Sequence, residues 1–459
     1  MDWAPRYEIR KNEIMSGRYI LVKPFYFLVP FWGERYRNYF LNYCLASLLA
    51  PNNLPLLDAS DGHRMLIATT KSDWDAIELE PSFQELRQYA TPQLIEIPSP
   101  PRETSPGGVE AIRYQNVCQK LLVEAAAKDR VYGAMLWPDI MLSDGYLGSL
   151  IERAKEGHSL VLCAALRQHQ EDVLEDLRRR GILNTEMFTP HRVQPLALPP
   201  RLLAELQVKH LHPEVMRFEE GSAEQPFLPP YRYWRAPDQN GIIIHTFFLQ
   251  PVLMDYSAVE KHDADCLNEG VFENIYIGRN FSNSRRVHIV QESDELGILS
   301  LTPGSVDGRP PDRLARQRRR TAFLRSCSIR ASMAFYARKC NDSLKRDMFR
   351  VPIRWHSSDL DAGWSEFESE IEDVVRDSVG DYFELADGSQ PKSFPSLLGL
   401  RWRYFFKDLI VACNVGDRLP FILIGLRAGL RVLRGDRRQL GRIIDQVLKA
   451  ARSVAATLA

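Results

Sequence analysis

The sequence predicts an α/β protein in which helices cover both faces of a mostly parallel sheet. Over residues 18–170, short apolar runs alternate with longer segments whose apolar residues recur at helical spacing. This alternation is typical of parallel sheets, because each return to a parallel strand needs a crossover, usually a helix. A second observation is the carboxylate of Asp139, which directly follows a buried strand pattern, where open α/β sheets bind ligands. The 459 residues, 45% of them hydrophobic, suffice for at least one large core.

The elements of this first part are bounded by residues that form turns. An apolar run at 20–30 predicts the first strand, and aromatic residues three or four apart predict an amphipathic helix over 34–49. That helix ends at Ala50-Pro51-Asn52-Asn53, a stop signal. Further strands are predicted at 64–68, 93–97, 131–137 and 159–165, and further helices at 82–89, 109–128, 146–155 and 171–180.

The second part of the chain is less regular. Proline-rich segments at 190–200 and 226–237 predict connecting loops. A β-rich block follows, with strands predicted at 242–249, 271–277, 286–291 and 297–301. After residue 302 the pattern is mostly helical, and Asp361 is the expected cap of a helix over 362–378.

Composition excludes several classes of function. Lys+Arg and Asp+Glu number 59 each, so the chain lacks the excess of positive charge that would indicate a nucleic-acid partner. The seven cysteines are scattered without a CxxC pair, which favours reduced thiols and a cytoplasmic location over disulfides or a zinc site. The N-terminus has no apolar signal core, and the apolar run at 409–426 is interrupted by charge and proline, so we expect no membrane span.

The order of elements and two short motifs resemble glycosyltransferases of the GT-A fold, of the bacterial polysaccharide type. VPFWGERYRNYFLNYCLASLL (29–49) stands where those enzymes begin with a strand, a turn and a helix. LWPDIMLSDGYLGSLIERA (136–154) stands where they carry an Asp-x-Asp motif. The resemblance covers residues 18–170. It implies a Rossmann-type fold and transfer of a sugar from a nucleoside diphosphate donor to a saccharide or lipid-linked acceptor, as in cell-surface polysaccharide synthesis.

In that family the Asp-x-Asp motif usually binds Mn²⁺ or Mg²⁺, which bridges the phosphates and stabilises the charge of the leaving group. Here Trp137 replaces the first Asp, so Asp139 alone matches. Asp139 is expected to orient the diphosphate, directly or through such a metal, and Asp144 to assist it. The alternative is that Asp139 binds turn amides and Asp144 caps the next helix.

The turn after the second strand would face the nucleobase in such a fold. The resemblance therefore implies base recognition by Thr69, Thr70 and Asp73, although Asp73 could equally cap the helix that follows. Arg113, near the start of a helix, is the candidate for a phosphate contact. A lone helix arginine is also common on plain protein surface.

The second part adds three candidates on the acceptor or metal side. His245 lies in an apolar strand pattern, where a hydrogen-bonded core histidine and a ligand are both considered. Asp263 and Asp265 form a true Asp-x-Asp sequence, either a cation site or a solvated loop. Asp294 and Glu295 follow a strand. Either could be the general base of an inverting transfer, with Asp294 preferred, or they form a tight acidic turn.

These patterns divide the chain into a catalytic domain (18–301), a helical region (302–420) and a basic amphipathic helix (421–459). Within the catalytic domain, 18–170 is the nucleotide-binding half and 240–301 an acceptor-side β block. Residues 427–452 include eight Lys and Arg but two Asp. Such a helix either packs on its own domain or contacts the inner face of a membrane.

Two rival functions remain at this point. A nucleotidyltransferase usually has a glycine-rich basic loop after its first strand, whereas FWGERYR (31–37) contains one glycine. A non-catalytic binding protein that keeps the fold would account for the missing first Asp.

Overall fold

The computed structural model describes residues 23–98, 109–183, 195–222, 225–226, 229–237, 240–269, 272–281, 286–304, 329, 332, 336 and 343–386. Residues 421–459, and with them the predicted basic helix, lie outside this part.

Strands and helices alternate through the first half of the chain. The strands are β1 (Phe25–Pro30), β2 (Arg64–Thr69), β3 (Thr91–Glu96), β4 (Tyr132–Met135), β5 (Ile140–Leu142), β6 (Leu160–Cys163), β7 (Arg167–His169), β8 (Tyr231–Arg235), β9 (Gly241–Thr246), β10 (Gln250–Asp255), β11 (Val287–Ile289), β12 (Ile298–Thr302) and β13 (Ile353–His356).

A π-helical segment, Phe40–Leu45, links the first two helices. The α-helices are α1 (Glu34–Tyr39), α2 (Ala46–Leu48), α3 (Lys71–Glu78), α4 (Pro81–Leu86), α5 (Val109–Asp129), α6 (Tyr146–Lys155), α7 (Gln170–Arg179), α8 (Pro200–Lys209), α9 (Pro213–Met216), α10 (Phe272–Phe281), α11 (Ser343–Arg350) and α12 (Ala362–Ala386).

The largest sheet has seven strands in the order β11-β6-β10-β4-β1-β2-β3. β1 pairs in parallel with β2 and β4, β2 with β3, and β6 with β11. The antiparallel strand β10 lies between β4 and β6. The predicted class, an α/β fold with a mostly parallel central sheet, is therefore confirmed.

Side-chain alternation along β1 explains why helices cover both faces of this sheet. Phe25, Phe27 and Val29 belong to one hydrophobic core, which includes residues of α4, α6 and the π-helical segment. Tyr26 and Leu28 belong to a second core, which includes residues of α5 and α10. Because successive side chains of a strand point to opposite faces, a strand buried throughout must be apolar at every position.

Two three-stranded sheets complete the described part of the fold. Their strand orders are β5-β12-β7 and β13-β9-β8. β12 pairs antiparallel with β5 and parallel with β7. The strands that lie within 240–301 are distributed over all three sheets: β9 belongs to one small sheet, β12 to the other, and β10 and β11 to the central one.

Several local predictions were wrong. Residues 271–277, predicted as a strand from their aromatic and β-branched content, belong to helix α10, where Phe272 and Tyr276 stack at 4.7 Å one helical turn apart. The proline-rich segment 226–237 contains β8, and the predicted helical region contains β13. The strand β10 was missed because the predicted run 242–249 continues past the end of β9 and stops where β10 begins.

The cap predicted for the last described helix is confirmed, since Asp361 Oδ1 accepts a hydrogen bond from the Trp364 amide at 3.1 Å. In the ranges that the structure describes, no helix combines the length and apolar character needed to cross a bilayer.

Two glycines test the packing of the central sheet. In Gly133→Ala, the new Cβ on β4 would lie 2.5 Å from the Tyr256 ring, between two cores that cannot easily move. We expect a loss of about 1–3 kcal/mol in the free energy of unfolding, measured by chemical denaturation. Gly148→Ala is the matched control: its Cβ meets Leu56 at 3.5 Å inside helix α6, so stability should rise by up to about 1 kcal/mol. Equal effects in both variants would contradict this packing.

Candidate functional site

The central sheet changes direction at β1. The chain proceeds from β1 to β2 and β3 on one side and then returns to β4 on the other. In open α/β sheets the crevice outside the carboxyl ends of the strands at such a point is the usual ligand site. The segments that leave these two strands are Phe31-Trp32-Gly33 after β1 and Leu136-Trp137-Pro138-Asp139 after β4. We call the space between them the switch crevice.

One buried carboxylate fixes the turn on the β1 side of the switch crevice. Asp73 Oδ2 accepts hydrogen bonds from the Gly33 amide and the Thr70 hydroxyl, both at 2.8 Å, and its Oδ1 pairs with Arg37 at 3.0 Å. Gly33 has φ 81° and ψ 156°, a conformation that favours glycine. Asp73 thus ties the first βα turn to the second.

The threonines proposed for base recognition have structural partners or are buried. The Thr70 hydroxyl accepts a hydrogen bond from the Asp73 amide at 3.1 Å, so Thr70, not Asp73, is the cap of α3. Thr69 is fully buried at the end of β2. Thr70 and Asp73 therefore position the crevice, and a direct contact of either with a nucleobase stays a prediction.

Asp139 is the carboxylate of the switch crevice. Its side chain is half-buried, and its backbone carbonyl accepts a hydrogen bond from the Leu301 amide on β12 at 2.8 Å. Burial raises the pKa of the carboxyl group to about 6, while its own backbone amide and the positive charges of Arg167 and Arg35 offset the rise only in part. A carboxyl group titrating near neutral pH inside a crevice marks a candidate functional residue.

Arg35, on the first turn of α1, is one of two cations whose charges act on Asp139. Its guanidinium is exposed, donates to the Tyr39 hydroxyl at 3.2 and 3.3 Å, and lies over the rings of Tyr36 and Tyr39. Burial, and then the Asp139 carboxylate, raise the pKa of Tyr36. The contacts with two tyrosines hold Arg35 in place while leaving its outer face open to an anion.

Arg167 is the second of these cations. Ser300 of β12 pairs with Ile140 on one edge and with Arg167 on the other, so a single strand separates Arg167 from the residue that follows Asp139. Arg167 Nη1 donates to Glu214 at 2.9 Å. The switch crevice therefore has two arginines around one half-buried carboxylate.

A cavity of about 360 Å³ opens beside Arg167, which forms part of its wall. Glu214, Arg217, Phe218 and Tyr231 contribute the other polar and aromatic wall residues. We call this cavity the arginine pocket. Arg167 belongs to the wall of this pocket, and its charge also acts on Asp139.

Asp144 does not share this site with Asp139. Its carboxylate accepts hydrogen bonds from the amide and the side-chain Nδ2 of Asn52, both at 2.9 Å, and so holds the turn after α2. The extended strand β5 separates the two acids by roughly 16 Å of chain, too far for one metal ion. Asp144 does not cap α6 either, since Gly145 is the cap residue and no side chain bonds there.

Asp294 and Glu295 lie at the far end of the β5–β12 ladder. There the Gly297 carbonyl accepts from the Ser143 amide, whereas Asp139 lies at the opposite end beside Leu301. Asp294 pairs with Arg201 at 3.1 Å, and the Glu295 carboxylate receives hydrogen bonds from Arg153 and His288, each at 2.8 Å. The structure therefore does not bring these two acids to the switch crevice.

The candidates on the acceptor or metal side bind protein groups. His245 Nδ1 lies 2.9 Å from the Phe349 carbonyl, and burial lowers the histidine pKa to about 4, as for a neutral core residue. Asp263 accepts from the Cys266 amide at 3.1 Å, and Asp265 pairs with Lys120 at 2.6 Å on the surface. Arg113 is exposed on α5.

The described residues do not by themselves form a metal site. Within them, no group of three or more His, Cys, Asp or Glu side chains is arranged to hold a metal ion. Asp139 is flanked by the cations Arg35 and Arg167, which oppose the approach of another cation.

The chain matches no protein-family model, and no curated protein shows significant similarity to it. The sheet, the switch crevice and the arginine pocket are therefore the features that bear on its function.

Sequence reasoning missed Arg35, Arg167 and the arginine pocket. Arg35 stands in the turn motif FWGERYR, and its position directly after the first strand was a usable signal. Arg167 and the pocket residues are brought together by pairings between distant segments, which local patterns do not reveal.

The raised pKa of Asp139 predicts that replacing its carboxyl group by an amide stabilises the protein. Between about pH 4 and pH 6 the folded state binds the Asp139 proton more tightly than the unfolded state, so stability falls as pH rises through this interval. Asp139→Asn removes this penalty and should raise the free energy of unfolding at pH 7.5 by about 1–2 kcal/mol. The gain should shrink as pH falls toward 4, as measured by denaturation at several pH values.

Asp265→Asn is the control with the opposite sign, because Lys120 lowers the pKa of Asp265 and the substitution removes a favourable partner. It should give no gain at pH 7.5. A gain in Asp139→Asn that does not change with pH would contradict the assigned cause.

Proposed function

We propose that this protein is a GT-A-type glycosyltransferase that moves a sugar from a nucleoside diphosphate donor to a saccharide or lipid-linked acceptor. The observation that carries the proposal is Asp139, a half-buried carboxyl group of raised pKa at the switch crevice, between Arg35 and Arg167. This grouping provides charge for an anionic leaving group and a base for an attacking hydroxyl at the same place.

The fold supports the proposal without being specific to it. A mostly parallel sheet with a change of direction at β1 provides the crevice in which nucleotides commonly bind. The first βα turn, fixed by Asp73, presents Trp32, whose ring meets that of Tyr114 edge-on at 4.7 Å. We infer that the nucleobase lies against Trp32, on the side of the crevice that faces β2.

The arginines supply the electrostatic part of the proposed reaction. As the bond between the sugar and the diphosphate breaks, negative charge grows on the leaving phosphate oxygens. Guanidinium groups bind such oxygens through two parallel hydrogen bonds, and they stabilise this charge best when they are already held in position. Arg35 is so held by Tyr36 and Tyr39, and in this proposal it contacts the diphosphate. Arg167 completes the positive surroundings of Asp139.

Asp139 supplies the base. A carboxyl group with a pKa near 6 is mostly ionised at neutral pH and still accepts a proton readily. The acceptor oxygen attacks the anomeric carbon, its proton passes to Asp139, and the diphosphate leaves with the electrons of the broken bond. This assignment moves the role of the base from Asp294 to Asp139, because Asp294 is paired with Arg201 elsewhere.

A peripheral membrane contact through residues 421–459, and with it a lipid-linked acceptor at the inner face of a membrane, stays a prediction. A non-catalytic binding protein is the second candidate, because Trp137 stands where the Asp-x-Asp motif of the family has its first Asp.

Binding of the donor is tested by thermal shift. A panel of nucleoside diphosphates and nucleotide sugars is added with Mg²⁺, Mn²⁺ or EDTA, and the melting temperature is recorded. We expect nucleotides of one base to raise the melting temperature, because a ligand at 100 times its Kd adds about 2.7 kcal/mol to the free energy of unfolding. The same rise is expected in EDTA, because in this proposal Arg35 binds the diphosphate. Arg35→Met should weaken this binding at least tenfold.

Arg87→Met is the matched control. Arg87 is a surface arginine that pairs with Glu78 and has no place in the switch crevice. The Arg87→Met variant should bind the nucleotide as tightly as the unmodified protein does. A shift that disappears in EDTA would show that a metal is needed, and no shift with any nucleotide would favour the binding-protein candidate.

A further inference from the structure

The arginine pocket is a built cavity with walls from three parts of the fold. Arg167 comes from β7, Glu214 from α9 and Tyr231 from β8. These walls are joined by backbone groups: the His212 amide donates to the Arg167 carbonyl at 3.0 Å, and the His212 ring accepts from the Glu214 amide at 3.2 Å. Its volume of about 360 Å³ lies at the small end of the range for ligand sites, which suits one or two rings.

One wall is aromatic. The rings of Phe218 and Tyr231 lie 4.5 Å apart at 55° to each other. The electron-rich face of such a ring attracts the weakly positive C–H groups on one face of a sugar. Burial raises the pKa of Tyr231, so its hydroxyl keeps its proton and can donate to a ligand oxygen.

The charges of the pocket do not balance. Arg167 and Arg217 carry two positive charges, and Glu214, which pairs with Arg167, carries one negative charge. Arg217 Nε is buried and has no hydrogen-bond partner among the described residues. A buried donor without an acceptor is unfavourable, and a ligand that brings one acceptor of charge −1 removes this defect.

We propose that the arginine pocket binds an acidic sugar, the carboxylate-bearing residue of the saccharide acceptor, with Arg217 holding the carboxylate and the Phe218–Tyr231 wall holding the ring. The inference rests on the proposed function, in which the acceptor hydroxyl must reach Asp139. Arg167 lies in the pocket wall and its charge also acts on Asp139, so the pocket and the proposed base share this residue.

A diphosphate fits the pocket less well. It carries two or more negative charges, whereas the wall residues named above have a net charge of one positive. The exposed guanidinium of Arg35, which is not part of the pocket wall, is the better partner for a diphosphate. The aromatic wall would also have no role in binding a bare phosphate.

The test measures binding of small glycosides by NMR saturation transfer and titration. The probes are the methyl glycosides of glucuronic, galacturonic and N-acetylneuraminic acids, the neutral methyl glucoside and galactoside, and inorganic pyrophosphate. At least one acidic glycoside should bind tenfold or more tightly than the neutral ones. Arg217→Met should abolish this preference, and Arg87→Met should retain it.

Two further measurements keep the result interpretable. Arg217→Lys keeps the charge and should keep part of the preference, while thermal unfolding shows whether each variant is folded. Nucleotide binding at the switch crevice should persist in Arg217→Met. If nucleotides bind and no acidic glycoside does, this inference fails alone. If an acidic glycoside binds and no nucleotide does, the proposed function fails alone.

Three results would overturn the inference. They are equal binding of acidic and neutral glycosides, an acid preference that survives in folded Arg217→Met, and pyrophosphate binding that is lost in Arg217→Met while no glycoside binds. The last result would assign the pocket to the donor phosphates.

Discussion

The pairing of β12 holds the candidate site together. This strand lies between β5 and β7, and its amide at Leu301 donates to the carbonyl of Asp139. This one strand thereby has Asp139 at one edge and Arg167 at the other, although the two residues come from different parts of the chain. Without β12, neither the charge around Asp139 nor the wall shared with the arginine pocket would be defined.

The surroundings of two acidic residues, Asp176 and Asp139, shift the pKa values of their carboxyl groups in opposite directions. Burial disfavours the ionised form of Asp176, but hydrogen bonds from Lys209, His210 and Arg180 hold its pKa well below the usual range. Burial also acts on Asp139, where the opposing contributions are weaker and the pKa rises to about 6. Asp176 is thus a structural anion, whereas Asp139 keeps the capacity to exchange a proton. This contrast in pKa, more than the Asp-x-Asp motif, identifies Asp139 as the candidate functional carboxylate.

Much of the central sheet could be predicted from the sequence because its signals are local. Apolar runs followed by turns gave β1, β2, β4 and β6, and the position of Asp139 after β4 followed from the same pattern. Roles that depend on distant partners could not be predicted. The carboxylate of Asp144 binds Asn52, 92 residues away, and Asp294 binds Arg201, 93 residues away. Helix α10 was mistaken for a strand because composition outweighed the helical spacing of its aromatic residues.

The central claim, that Asp139 is the reacting carboxylate, is tested most directly by release of labelled sugar from the nucleotide donor. The rate is measured with the unmodified protein and with Asp139→Asn, at nucleotide saturation and over pH 5–8. The account predicts a rate in the unmodified protein that falls below about pH 6, and a loss of 100-fold or more in Asp139→Asn with nucleotide binding retained. An Asp139→Asn variant that transfers sugar at the unmodified rate would contradict the account.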